Sequence, residues 1–276
     1  MDSKPLFSVL VANFNKAQFI KECLDSLLAQ TFKNFEVIIV DDASTDNSLE
    51  VINDFVNKDA RFKLFENKEN KGVGFTKKRM IGEASADICG ILDSDDYLAE
   101  NAFQKMYEAH LQNPEASIIY SSTVYFDEKG KIENVFQKTI QQPHNTSVID
   151  KLFVSHFVTF KRDLYLKTKG INPYLKGAED LELYILLEEK GTIIHLDENL
   201  YFHRIYDGGI SQGNNKGMVN DWAFYVQVHH LMRRGNDIKP IFELYKNWYK
   251  YDVSVFSNWD LIKMIIYRLT KSFRKS

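Results

Sequence analysis

Three aspartates stand close together in Asp93-Ser94-Asp95-Asp96, directly after the apolar run at residues 88–92. Neighbouring carboxylates repel each other, so such a cluster is destabilising unless a cation or solvent relieves its charge. Mg²⁺ and Mn²⁺ would relieve it, because both prefer carboxylate and phosphate oxygens. The alternative is a solvated acidic turn that caps the next helix. The position at the end of an apolar run favours a ligand site.

Two more polar groups follow apolar runs in the same way. They are Asn13-Phe14-Asn15, after residues 7–12, and Asp41-Asp42, after residues 37–40. A carboxylate of the second group can accept a hydrogen bond from a base or a ribose. The alternative is that it caps a helix together with Ser44 and Thr45.

Short apolar runs alternate with amphipathic segments through the first third of the chain. The runs, at residues 7–12, 37–40, 62–65 and 88–92, indicate buried strands. The segments between them carry apolar residues at helical spacing. This alternation predicts an α/β fold with a parallel, doubly wound sheet. Ligands of such sheets bind beyond the carboxyl ends of the strands, so the three polar groups should meet in one crevice.

The second half of the chain follows a less regular pattern. Its predicted elements are helices at residues 100–112 and 179–190, strands at 117–126, 157–160, 192–196 and 199–202, and a turn at 127–130. Gly191 is well placed to end the later helix. Glu179 and Asp180 open that helix, where acids complement the helix dipole, although a catalytic base can stand there too. After Tyr206 the alternating pattern is lost.

The composition is that of a globular protein. The chain has 276 residues, 44% of them hydrophobic and 26% charged, with a net charge of −3. This charge gives no basic field, so we expect no nucleic-acid partner. Cys23 and Cys89 lie in apolar segments, and we expect free buried thiols in a reducing compartment. No signal segment or apolar run of about 18 residues is present, so we expect a cytoplasmic protein without a spanning helix.

Four segments together resemble glycosyltransferase family 2. They are its opening (residues 8–15 and 30–46), its DxD segment (92–96), its ED segment (177–180) and the segment after that (201–204). The resemblance implies the GT-A fold, a Rossmann-like, mostly parallel central sheet flanked by helices. We therefore expect a nucleotide-sugar-binding and catalytic domain at residues 1–210 and a C-terminal helical extension at residues 211–276.

The resemblance implies a set of residues that hold the nucleotide. They are Ala12, Phe14, Asn15, Asp42, Asn70, Lys77, Asp93 and Ser94. Asp42 matches the carboxylate that contacts the base, and Asp93 is expected to contact ribose or a metal-bound water. Phe14 replaces the commoner tyrosine, so stacking survives without the hydroxyl contact. Lys77 replaces an arginine and keeps the charge but not the bidentate fork; its alternative is a solvated helix face.

The resemblance also implies the reaction, which moves a sugar from a nucleotide-diphosphate sugar to an acceptor hydroxyl with inversion. The resemblance implies a UDP-sugar as the donor. Asp180 matches the general base that takes the proton of the attacking hydroxyl. Asp95 is expected to bind Mn²⁺ or Mg²⁺, which stabilises charge on the diphosphate. Asp96 and Glu179 are expected beside the donor sugar or the acceptor, with metal ligation as a second option for Asp96.

Two further residues are implied to hold the diphosphate. They are Arg204 and Ser211, the latter in a loop at residues 208–211 that can close as a lid. His203 is a candidate metal ligand, but the family often places a histidine two residues after the arginine, where this chain has Tyr206. The alternative for His203 is a satisfied histidine at the sheet edge.

The tail beyond residue 238 is rich in aromatic residues and lysine, and its apolar positions between residues 261 and 273 form a helical stripe. One interpretation is an interfacial helix on the inner face of the membrane, which would bring the enzyme to a lipid-linked saccharide acceptor. The other is a helix that packs on the catalytic domain. Nothing in the sequence specifies an oligomeric state.

Two other functions stand as alternatives, a nucleotidyltransferase and a non-catalytic nucleotide-sugar-binding protein. A nucleotidyltransferase usually has a glycine-rich loop after its first strand, whereas residues 12–16 contain no glycine. A non-catalytic binding protein is disfavoured because the chain has both Asp180 and an intact acidic cluster. We therefore expect an inverting, metal-dependent glycosyltransferase that acts in surface polysaccharide synthesis.

Overall fold

The computed structural model describes residues 4–127, 129–132, 139–206 and 216–244. Within them, eight strands form one sheet in the order β3-β2-β1-β4-β7-β6-β8-β5. The strands are β1 (Phe7–Asn13), β2 (Phe35–Asp41), β3 (Phe62–Glu66), β4 (Ile88–Asp93), β5 (Tyr97–Leu98), β6 (Ala116–Asp127), β7 (Val158–Lys161) and β8 (Thr192–Ile205). The helices are α1 (Ala17–Leu28), α2 (Ser48–Lys58), α3 (Val73–Glu83), α4 (Ala102–Gln112), α5 (Arg162–Leu166), α6 (Glu179–Glu188), α7 (Lys216–Arg233) and α8 (Lys239–Leu244).

The first four strands form the parallel unit that the alternating pattern predicts. β1 lies between β2 and β4, and β3 extends the sheet beside β2, all in parallel pairs. β1 and β2 are almost entirely buried, because helices cover both faces of the sheet. In the register of these pairs, Asn13 lies opposite Asp41 and Ala12 lies opposite Asp93. The three polar strand ends therefore meet at one edge of the sheet.

The second half of the sheet is mixed. β7 runs antiparallel to both of its neighbours, β4 and β6, while β6 and β8 are parallel. The sequence predicted two strands at residues 192–196 and 199–202, but β8 is one continuous strand. Its register with β6 shifts between Ser121 and Ser122, whose partners are Leu196 and Asn199. This irregularity accommodates the two intervening acidic residues without ending the strand.

Two hydrophobic clusters cover the opposite faces of the sheet, because alternate strand residues point to opposite sides. Val9 and Val11 face the cluster with α1, α2 and α4, whereas Leu10 faces the cluster with α3 and α6. The second cluster also contains Trp222 of α7. The alternating pattern ends near Tyr206, and α7, which lies within the predicted C-terminal helical extension, packs against α6.

Other expectations concern the cysteines, membrane-spanning helices and the C-terminal part of the chain. Cys23 and Cys89 are free and buried, as predicted. No helix among the described residues is long and apolar enough to cross a membrane. The predicted division at residue 210 stays a prediction, and the stripe at residues 261–273 lies outside the described residues.

Candidate active site

The carboxyl ends of β1, β2 and β4 open into a cavity of about 1020 Å³. Its other wall comes from the segment before β7 and from the start of α6. The predicted site residues that line it are Ala12, Phe14, Asn15, Asp42, Asn70, Lys77, Asp93, Ser94, Asp95, Glu179, Asp180, His203 and Arg204. Asp96 is buried behind this wall, and Ser211 lies outside the described residues. Segments far apart in the chain therefore share one cavity at the strand ends.

Side-chain hydrogen bonds fix the loop after β1 to the loop after β2. Asn15 has a φ of 51°, in the left-handed region that asparagine tolerates better than most residues. Its Oδ1 accepts a hydrogen bond from the backbone N–H of Thr45 at 2.7 Å. Asn13 donates to Asp41 Oδ2 at 2.7 Å. The fixed loop leaves Phe14 exposed at the cavity, where its ring is available for stacking on a base.

The carboxylate of Asp42 organises the loop that leads into α3. It accepts hydrogen bonds from Asn67 Nδ2 at 2.7 Å and from the backbone N–H groups of Lys71 at 2.9 Å and Gly72 at 2.8 Å. Gly72 has a φ of 86°, which favours glycine. Asp42 therefore shapes the cavity wall and does not cap α2, which begins at Ser48. Its predicted contact with the base stays a prediction.

Lys77 joins three carboxylates from distant parts of the chain. Its Nζ lies 2.8 and 2.9 Å from the two oxygens of Asp180, 2.8 Å from Glu179 Oε1 and 3.8 Å from Asp93 Oδ1. Its side chain is only 4% exposed, so the alternative of a solvated helix face is wrong. Burial opposes the charge, but the carboxylates outweigh it and hold the pKa of Lys77 well above its usual value. The contact of Lys77 with a nucleotide stays a prediction.

The partners of Lys77 differ in their surroundings. Burial raises the pKa of Glu179, although the nearby ammonium opposes that rise. Burial also raises the pKa of Asp93 to about 7, with the neighbouring carboxylates acting in the same direction. The side chain of Asp180 is 33% exposed, so an incoming hydroxyl can reach it. Lys77 therefore holds the partly exposed carboxylate of Asp180 in place, beside the buried carboxylate of Glu179 and the partly exposed one of Asp93.

Asp95 also lines the cavity, and two side chains donate to its carboxylate. Lys16 Nζ is 2.8 Å from Asp95 Oδ2, and the Tyr206 hydroxyl donates to the same oxygen at 2.5 Å. Burial would raise the pKa of Asp95, but Lys16 and these hydrogen bonds outweigh it and lower that pKa. Sequence reasoning assigned no role to Lys16, and the position directly after Asn15 was the signal for it. Asp95 as a metal ligand stays a prediction.

Asp96 is directed away from the cavity toward β8. Its carboxylate accepts hydrogen bonds from the Tyr201 hydroxyl at 2.5 Å and from the backbone N–H of Arg204 at 2.8 Å. His203 Nδ1 lies 3.0 Å from the same carboxylate. These contacts lock the acidic turn against the sheet. The predicted contact of Asp96 with the donor sugar stays a prediction, and this conformation does not present the side chain to the cavity.

Two histidines stack side by side in the cavity wall. The rings of His156 and His203 have centroids 5.3 Å apart and an interplanar angle of 2°. Burial lowers the pKa of His203, but its hydrogen bond and attraction to Asp96 outweigh burial, so the pKa is raised. Burial, aided by His203, lowers the pKa of His156 to about 4. The contact with Asp96 supports the alternative of a satisfied histidine, and metal ligation by His203 stays a prediction.

The guanidinium of Arg204 is held between two aromatic rings. Its Cζ lies 4.7 Å from the ring centroid of Phe19 and 4.5 Å from that of Phe126. Its Nε donates to the backbone carbonyl of Asp95 at 3.0 Å, and Glu22 pairs with the same guanidinium. Arg204 therefore fixes the acidic turn, and its predicted contact with the diphosphate stays a prediction.

A divalent ion fits this cavity as a partner of a nucleotide. In the part of the chain that the structure describes, no group of three or more His, Cys, Asp or Glu side chains is placed to hold a metal. Asp93 and Asp95 line the cavity, whereas Asp96 is bonded to β8. One or two carboxylates are the usual protein share of a Mg²⁺ site that substrate phosphates and water complete. The donor set therefore suits a hard ion that arrives with a diphosphate.

Solved structures share this architecture. TarS residues 1–349 of S. aureus, in complex with UDP-GlcNAc, superpose with a TM-score of 0.68 and 21% identity over 90% of this chain and 74% of that one. The mannosyltransferase PcManGT of Pyrobaculum calidifontis, in complex with GDP-Man and Mn²⁺, gives a TM-score of 0.57 and 16% identity over 99% and 87%. The fold is that of GT-A glycosyltransferases, as predicted.

The family follows from the sequence match. The model of glycosyl transferase family 2 matches residues 8–168, and the chain belongs to this family. Hyaluronan synthase of Pasteurella multocida is 29% identical over 234 residues, which are 84% of this chain and 24% of the synthase. The chain thus spans about a quarter of that relative. The predicted family is confirmed.

Proposed function

We propose that the protein transfers a sugar from a UDP-sugar to a saccharide hydroxyl with inversion at the anomeric carbon. The observation that carries the proposal is the placement of Asp180 and Asp95 in the lining of one cavity. Asp180 is an accessible carboxylate that can take a proton from the acceptor hydroxyl. Asp95 lies in the part of the cavity that we assign to the diphosphate and its cation. The complex of TarS with UDP-GlcNAc supports UDP as the nucleotide.

The chemistry is a single displacement in which the protein supplies a proton acceptor and fixed charges. Asp180 takes the proton of the acceptor hydroxyl as its oxygen forms a bond to the anomeric carbon. The bond from that carbon to the diphosphate oxygen breaks on the opposite face, which inverts the configuration. Lys77 keeps the Asp180 carboxylate oriented through two contacts of 2.8 and 2.9 Å. A bound Mn²⁺ or Mg²⁺ supplies charge neutralisation on the departing diphosphate.

The remaining predicted roles belong to the same proposal. Phe14 stacks on the base, Asp42 and Asn70 shape the nucleotide side of the cavity, and Glu179 stands beside the sugars. The acceptor is a saccharide or a lipid-linked saccharide, and the product belongs to a polysaccharide. The name of the Pasteurella relative supports this class of product. Peripheral association with the inner face of the cytoplasmic membrane is the corresponding proposal for location.

The test is a thermal-shift screen of nucleotide sugars with and without Mn²⁺. A matching donor should raise the melting temperature in the presence of Mn²⁺, and Asp95→Ala should remove that shift. Asp87→Ala is the matched control, because Asp87 is exposed and pairs with Lys4 away from the cavity. A shift that survives Asp95→Ala, or a panel without any shift, would refute the proposed donor site.

A further inference from the structure

The ammonium of Lys16 lies at the carboxylate that the proposed function gives to the metal. It contacts Asp95 Oδ2 at 2.8 Å and also contacts the hydroxyl of Tyr206. The side chains of Lys16 and Asp95 are 15% and 17% exposed, so solvent ions screen this pair weakly. The protein itself therefore supplies a cation beside the oxygen of Asp95.

The backbone holds Lys16 in this place. Its N–H donates to Ser48 Oγ at 3.1 Å, and its carbonyl accepts from the N–H groups of Phe19 and Ile20 at 2.9 Å, where α1 begins. The ammonium also lies 4.8 Å from the ring centroid of Tyr206. That ring packs edge-on against Phe19. Lys16 is thus held at the start of α1 and against Tyr206, which follows β8, unlike a lysine in an ion pair of two loose surface side chains.

We propose that Lys16 keeps a divalent ion off Asp95 until the diphosphate of the donor is present, so that metal and nucleotide bind together. This inference rests on the proposed function. An ion on Asp95 Oδ2 would stand beside the ammonium, and two positive charges repel strongly in a shielded cavity. A diphosphate removes the repulsion because it offers oxygens to both cations. Lys16 already lines the cavity, so a side-chain movement is enough.

The consequence is thermodynamic coupling between the two ligands. UDP should tighten Mn²⁺ binding, and Mn²⁺ should tighten UDP binding by the same factor. The ammonium is what makes the ion bind poorly by itself. Without it, the ion should bind the ligand-free protein better, and the coupling factor should shrink.

The experiment measures Mn²⁺ affinity by electron paramagnetic resonance of the free ion, with and without saturating UDP. Lys16→Met removes the charge at similar length and should tighten binding of Mn²⁺ alone at least tenfold. It should also reduce at least tenfold the factor by which UDP tightens Mn²⁺. Lys16→Arg keeps the charge and should keep weak binding of Mn²⁺ alone. Lys21→Met is the control, because Lys21 is exposed on the same helix and pairs with Asp25.

The outcomes separate this inference from the function on which it rests. If Lys16→Met binds Mn²⁺ no more tightly, while Asp95→Asn still abolishes Mn²⁺-dependent UDP binding, the inference is overturned and the function stands. If Asp95→Asn leaves that binding unchanged, the metal site is refuted and the inference falls with it. Circular dichroism checks folding, and Lys16→Gln carries the same prediction if Lys16→Met does not fold.

Discussion

Replacing Lys77 by methionine would leave three carboxylates without the cation that they share. Lys77 is 4% exposed and Glu179 is 8% exposed, whereas Asp180 and Asp93 are about one third exposed. Removing one partner of a buried ion pair typically costs about 3–5 kcal/mol. Solvent screens the two more exposed carboxylates, so we expect a loss of about 3 kcal/mol in the free energy of unfolding at pH 8.

The loss of stability should depend on pH in a defined direction. Burial raises the pKa of Glu179 above its unfolded value, and loss of the Lys77 ammonium raises it further. A carboxyl whose pKa is raised in the folded state destabilises the protein above that pKa, because the native state must hold an unfavourable charge. The deficit of Lys77→Met should therefore be largest at pH 8 and shrink as the pH falls through the raised pKa.

The assay is urea denaturation of wild type and variant at pH 8 and pH 5.5, followed by tryptophan fluorescence. Lys78→Met is the matched control, because Lys78 is the next residue of α3 and is exposed. Equal losses for the two variants, or a loss for Lys77→Met that does not change with pH, would refute the reasoning about the shared ammonium.

Three further predictions concern other buried groups. Burial lowers the pKa of His110 to about 3, so the free energy of unfolding of the wild type should fall by about 2 kcal/mol between pH 7 and pH 5 because of this group. In urea titrations, His110→Gln should reduce this dependence of stability on pH, and an unchanged dependence would contradict the prediction. Gly90→Ala would place a Cβ 2.8 Å from ring atoms of Phe157 and should cost about 1–3 kcal/mol, seen as a lower melting temperature; an unchanged melting temperature would show that the ring yields. Asp42→Ala should loosen residues 67–72 and weaken UDP binding in calorimetry, and equal affinity would exclude that role.

The strands that carry the site were predictable because they are buried on both sides. β1 and β2 are almost fully buried, and apolar runs are what such burial requires. The bounds of α7 within the predicted helical extension were not predictable from periodicity, because the buried Trp222, Phe224, Val226 and Val228 recur at every second position, which is the spacing of a strand. Packing against α6 and α8 buries these side chains in a helix instead.

The residues at the strand ends were predictable, but their contacts were not. Strand order places Asp93 and Asp95 at the cavity, whereas the family resemblance implies the place of Asp180 there. The role of each residue depends on its contacts in three dimensions. Asp96 is hydrogen-bonded to Tyr201 of β8, and Lys77 is paired with Asp180 of α6. The partners of a long lysine side chain come from segments far away in the chain, which a local pattern does not contain.

The most direct test of the account is turnover by Asp180→Asn. With the donor found in the thermal-shift screen and a saccharide acceptor, we predict that release of UDP falls by about 10²–10⁴-fold. The affinity of Mn²⁺-dependent UDP binding should stay within about twofold of the wild-type value. The amide keeps the shape of the side chain, and a general base stabilises the transition state rather than the bound donor. Asp163→Asn, at an exposed position of α5, is the control. Turnover that survives Asp180→Asn at the wild-type rate would contradict Asp180 as the base.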